Sequence, residues 1–203
     1  MKKALVIALA LTFVATVAFA GLGHNPNHKV AVHCKAHPTS CTKGYPAFTA
    51  CTSINTTWAP CGDVDVMPVF YDLTEVLVVE FAMTWPVEWY SMSWVRCKGD
   101  LAIGTVKYSG DGTAISWMTC QYSWALAPGY GWIAPTTPGY VNVVPNPATN
   151  MYGVVDCQPS PGPYMDAPRC VNKAGLCGFI GDDPCLATAT EPSTWGQIKG
   201  MFK

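Results

Sequence analysis

The sequence predicts an all-β protein, an antiparallel sandwich or barrel stapled by disulfides, and three observations carry that expectation. Seventeen prolines and 18 glycines in 203 residues break the chain into short segments. Proline removes a backbone donor and glycine supplies positive φ, so strands joined by tight loops are favoured over long helices. Apolar residues alternate with polar ones at period two through the central block, the repeat of a half-buried strand. All ten cysteines lie downstream of an export-type leader.

That leader is residues 1–20. Lys2 and Lys3 precede an apolar run from Ala4 to Phe19, with small residues at Ala18 and Ala20. This is the pattern of a secretory signal peptide, which would deliver a chain starting at Gly21 to an oxidising compartment. Secreted, extracellular or cell-surface localisation is therefore expected. His28 to His37 reads as the first strand, with Val30, Val32 and Cys34 on one side. Thr39 to Gly62 is a turn-rich excursion. Residues 64–71, 75–85, 90–97, 101–108 and 113–122 read as consecutive strands. Ser109-Gly110-Asp111-Gly112 is a hairpin signal, because Asp-Gly tolerates the positive φ of tight turns. Val79, Phe81, Met83 and Trp85 share one face of their strand, and Glu80 alternates onto what reads as a solvated face. Residues 124–139 (WALAPGYGWIAPTTPG) read as a loop, followed by strands at 140–144 and 151–157.

The expected organisation is a signal peptide (1–20), a β-sandwich (21–157), a loop-rich cysteine module (158–186), and a linker with a short amphipathic tail (187–203). In the tail, Ser193 or Thr194 can cap a helix placing Trp195, Ile198, Met201 and Phe202 on one apolar face. Its two glycines make it marginal alone, so it needs a partner surface.

Five disulfides follow from an even cysteine count, although the pairing does not. Local loops suggest Cys34–Cys41, Cys51–Cys61, Cys97–Cys120, Cys157–Cys170 and Cys177–Cys185. No CxxC pair is present, which disfavours structural zinc. Loss of Lys2 and Lys3 with the leader takes 12 basic and 13 acidic side chains to a net of −3. A faintly acidic chain without a basic run has no footprint for nucleic acid. No second apolar stretch is long enough to span a bilayer.

The DVDVMPVFYDLTEVLVVEFAMTWP run, the GDDPC knot and the TWGQIKGMFK end together resemble a family of secreted, cysteine-rich proteins from uncultured bacteria. The resemblance of the TWGxIKxMF-type end to tails on other secreted proteins implies sorting or envelope attachment through Trp195, Ile198, Met201 and Phe202. YDLTEVLVVEFAMTW followed by GDLAIGTVKYSGDGTAISWM is similar to the strand cadence of cohesin-like sandwiches, which implies a cohesin/Ig-like fold. The dense cysteines depart from that pattern, so dockerin binding does not carry over.

Four histidines crowd residues 24–37 and invite a metal site with Cys34, but strand alternation separates His28 from His33 and His33 from Cys34. Surface histidines are expected instead. Asp63, Asp65, Asp182 and Asp183 are the calcium candidates, though none sits in a recognisable loop and turn roles explain them. Two aromatic groups could form a sugar platform: Trp85, Trp89, Tyr90 and Trp94, and the loop set Tyr122, Trp124, Tyr130 and Trp132. The loop set is the preferred binding patch. No nucleophile elbow, zinc motif or P-loop is present. Glu75, Glu80 and Glu88 are the carboxylates a small hydrolase could use. The reading is a non-catalytic interaction or structural protein without a cofactor, partnered by an extracellular protein or glycan. A carbohydrate-binding module is the first alternative and a small extracellular hydrolase the second.

Overall fold

A computed structural model describes residues 25–38, 48–91, 94–97, 99–157 and 165–186. Fifteen strands occur among them. The first eight are β1 (Lys29–Ala36), β2 (Thr57–Trp58), β3 (Val64–Tyr71), β4 (Val76–Thr84), β5 (Tyr90–Ser91), β6 (Val95–Arg96), β7 (Leu101–Gly104) and β8 (Gly112–Gln121). The remainder are β9 (Ala125–Leu126), β10 (Gly129–Ala134), β11 (Gly139–Val144), β12 (Gly153–Val155), β13 (Met165–Asp166), β14 (Cys170–Asn172) and β15 (Ala174–Leu176).

They form two sheets facing each other as a sandwich. In the first, β1 and β3 lie side by side, β14 flanks β1, and β9 and β10 share the other edge of β3. The second is built on β4, with β8 and then β7 on one edge and β12 and β11 on the other. All pairings are antiparallel except β1 with β14 and β2 with β15. Alternation explains the layering. Val30, Val32, Val64, Val66 and Phe70 of the first sheet meet Val79, Phe81, Met83, Ile115 and Trp117 of the second in one core. Phe70 and Phe81 touch across it with ring centres 5.7 Å apart.

β3 is buried along its whole length, so the outer face of its sheet is covered too. At the Tyr71 end, Ala31, Val69 and Tyr71 pack with Phe48, Ile54 and Ala127 in a second cluster. The buried Tyr71 hydroxyl donates to the Pro184 carbonyl (2.7 Å) and accepts from Asn172 (2.8 Å). Burial is the main cause holding this phenol above its ordinary pKa.

Several sequence expectations are corrected here. The Pro/Gly-rich stretch 124–139 is not a loop, because it supplies β9 and β10. The 158–186 segment carries three short strands, β13 to β15, that extend both sheets. Three disulfides join described residues: Cys51–Cys185, Cys61–Cys177 and Cys120–Cys157. They replace the expected Cys51–Cys61, Cys97–Cys120, Cys157–Cys170 and Cys177–Cys185 pairs. The parallel additions of β14 and β15 carry the C-terminal cysteines back to residues 51–61, which sequence proximity cannot show. Cys97 is oxidised as well. Cys34 points into the core as a thiol, so the Cys34–Cys41 pair is not made. Burial raises its pKa to about 12, leaving little thiolate to oxidise. The five-disulfide expectation therefore falls.

Glu80 is not solvated. It is buried on β4, accepts from Asn146 (2.9 Å) and Thr149, and pins the turn between β11 and β12. The leader and the tail residues Trp195, Ile198, Met201 and Phe202 lie outside the described residues. No described helix is long and apolar enough to cross a membrane.

Candidate functional site

Whereas its Tyr71 end is covered, the other end of the first sheet presents an aromatic strip. Ile133 faces the core, so Trp132 and Tyr130 alternate outward on β10. Trp132 stands opposite Asp65 of β3, and Ala134 stands opposite Tyr90 of β5. The Tyr90 and Trp132 rings meet at 5.5 Å and 74°, and the His37 ring lies 5.6 Å from Trp132. His37 Nδ1 is 3.0 Å from Oδ1 of the fully buried Asp65 carboxylate, which orients the imidazole. Burial, followed by the charge of Asp65, raises the Tyr130 pKa.

Beside Tyr90 the surface opens into a cleft of about 380 Å³ lined by Trp85, Val87, Trp89, Tyr90, Ser91, Tyr108 and Ser109. Pro86 follows β4, and a turn with Trp89 N–H donating to the Pro86 carbonyl (3.1 Å) sends the chain back towards β5. Trp89 is thereby driven inward, and its indole N–H donates to Thr137 (3.1 Å). Gly139 accommodates it, since a Cβ there would lie 2.6 Å from the Trp89 ring. The facing wall is held equally closely. The Ser109 hydroxyl donates to the Trp85 carbonyl (2.7 Å) and accepts from the Trp85 N–H (2.9 Å), while Gly110 N–H donates to Met83 (2.8 Å). Asp111 accepts from the Lys107 and Tyr108 N–H groups, fixing the turn that carries Tyr108. Trp85 and Trp89 are buried, yet Val87, Tyr90 and Tyr108 are 89%, 64% and 61% exposed. Large apolar side chains thus stand in solvent on a braced frame.

The four loop aromatics expected to act together are divided. Trp124 packs on Tyr71 (5.7 Å) and donates its indole N–H to Asp72 (3.0 Å). Trp132 sits at Asp65, six residues back along β3, a separation of roughly 20 Å. Tyr122 stands apart beyond the end of β8, 75% exposed. Of the four, Tyr130 and Trp132 share the strip, where Tyr90 from the other group joins them. Trp94 is a packing residue against Phe81 (5.6 Å). Sequence reasoning missed Tyr108, Val87 and the His37–Asp65 pair, and the hairpin signal beside Tyr108 was the available clue.

The histidines correct a further expectation: His28 and His33 are buried, not on the surface. His28 Nδ1 donates to the Asn25 carbonyl (2.8 Å), while His33 Nδ1 accepts from the Asn55 N–H (2.9 Å). Burial lowers both pKa values to about 4, with the nearby Lys35 charge adding to the effect at His33. His24 lies outside the described residues.

Of the calcium candidates, Asp65 faces His37, Asp182 accepts from Lys173 N–H (3.1 Å), and Asp183 accepts from Cys185 N–H (2.8 Å); Asp63 is exposed. Ligand atoms of Glu75, Cys120 and Cys157 lie within 4.8 Å of one another. The two sulfurs are bonded to each other, so they offer no thiolates to a metal.

No family model, curated protein or solved structure matches this chain.

Proposed function

We propose that the protein is a non-catalytic binding module of an extracellular or cell-surface setting, and that it engages its partner through the cleft and the adjoining Tyr90–Trp132–His37 strip. The observation that carries this reading is the gathering of the exposed Val87, Tyr90 and Tyr108 around a preformed cleft whose walls are braced by the buried Trp85 and Trp89. Holding a site rigid before binding lowers the ordering cost of association. Three disulfides suit an oxidising setting and add to that rigidity.

A hydrolytic reading has less support. Glu80 is committed to Asn146 and Thr149, Glu88 is exposed on the turn after β4, and Glu75 is buried at the opposite end of that strand. Retention on the native cell surface or extracellular matrix provides the test. Tyr90→Ala combined with Trp132→Ala is expected to release the folded protein into the soluble fraction, whereas Met118→Ala, on the outer face of the other sheet, is expected to leave retention intact. Equal retention of all three proteins would refute the reading.

A further inference from the structure

The chemistry of the cleft narrows the partner, and this step rests on the binding role just proposed. We propose that the cleft takes a neutral glycan, a glucose-configured pyranose ring stacking on Tyr90 and Tyr108. None of the cleft's lining residues carries a charge, and the Lys107 ammonium stands outside the lining, 5.1 Å from the centre of the Tyr108 ring. A carboxylated or sulfated ligand would find no ion pair among the lining residues, and an uncharged one loses none. Equatorial hydroxyls leave both faces of such a pyranose as C–H surfaces, which match the faces of aromatic rings. Its rim of hydroxyls must in turn meet donors and acceptors, and the cleft edge supplies Ser91 and the hydroxyls of the exposed Tyr90 and Tyr108. A volume of about 380 Å³ falls at the small end of ligand sites, the scale of one or two sugar rings. Beyond Tyr90, the half-buried Trp132 continues the apolar surface at a ring separation of 5.5 Å, so a longer chain has somewhere to run.

A proline-rich peptide also docks on aromatic grooves. Its carbonyls can accept from the Ser91 and tyrosine hydroxyls, but it has no donors to return to their lone pairs as a sugar does. The Trp89 N–H that could meet a further carbonyl is already given to Thr137. The observations favour the glycan.

Calorimetric titration of the disulfide-intact protein with cellohexaose, and separately with decaproline, distinguishes the two. Cellohexaose is expected to bind with little dependence on salt, because the ligand carries no charge. Tyr90→Ala and Tyr108→Ala are each expected to weaken binding about tenfold, equivalent to about 1.4 kcal/mol. Tyr90→Phe keeps the ring and is expected to retain most of the affinity. A circular dichroism spectrum identical to that of the parent protein shows that each variant is folded. Absence of cellohexaose binding, or binding indifferent to both alanine variants, overturns the glycan inference. If surface retention still depends on Tyr90 and Trp132 in that case, the binding face stands and its ligand is of another class, a peptide if decaproline binds. If retention is also indifferent, both readings fall.

Discussion

Acidification from pH 6.5 towards 4 is expected to cost this protein several kcal/mol of stability, a loss that begins well above the range in which carboxylates take up protons. His28 and His33 are buried and neutral, with pKa values lowered to about 4 from an ordinary 6.5. In the unfolded chain both bind a proton as the pH falls through 6.5, and in the fold neither does until about 4. The unfolded state therefore holds more protons across that window, so stability falls as the pH is lowered. Each histidine contributes a slope of about 1.4 kcal/mol per pH unit, and the loss levels off once both states are protonated. The hydrogen bonding agrees with the sign. Protonation of His33 at Nδ1 would set two N–H groups against each other at Asn55. Urea unfolding at several pH values measures the effect, and His33→Gln should reduce the slope by about half. A stability independent of pH between 6.5 and 4 would show that these imidazoles are solvated.

Removal of the Cys61–Cys177 disulfide, by Cys61→Ser with Cys177→Ser, is expected to destabilise the fold by about 2–5 kcal/mol. The bond closes a separation of 116 residues, and long loops lose most entropy when cross-linked in the unfolded state. It also fastens the parallel pairing of β2 with β15, which has only two register positions to hold it. Cys34→Ala should cost less, since it removes a buried thiol and no cross-link. The comparison is made by urea unfolding under non-reducing conditions. Equal midpoints for the parent and the disulfide variant would show that packing alone fixes the C-terminal strands.

Both effects arise where sequence and structure part company. The alternation that defines β1, β3, β4 and β8 could be read directly, because each has one face against the core and period two exposes that arrangement. β10 was hidden by its glycines, which look like turn signals. Gly129 is small because a Cβ there would lie 2.5 Å from the Trp94 ring and from the Val95 carbonyl, so it serves close packing within a strand. Glu80 obeyed the alternation, but the turn between β11 and β12 folds over it, and a period-two pattern carries no information on what lies above a sheet face. His33 is covered in the same way by Phe48, at a ring distance of 5.0 Å. The cysteine pairing depended on two short strands, β14 parallel to β1 and β15 set between β2 and β11, that place residues 170–176 beside segments far from them in sequence. At the candidate site, aromatic residues were visible as types but not as neighbours. Tyr90, Trp132 and Tyr108 come from three separate segments, and only the cross-strand register and the Ser109 clamp bring them to one end of the sandwich.

The claim that this end is the binding face is tested most directly by site-specific photo-cross-linking in the native compartment. A photoreactive phenylalanine analogue would replace Tyr108 in one protein and Met118, 86% exposed on the other sheet, in a second. The expected result is a discrete adduct from position 108, lost when Tyr90 is also replaced by alanine, with none from position 118. An adduct from position 118 with none from 108 would place the binding face on the opposite sheet and contradict the account.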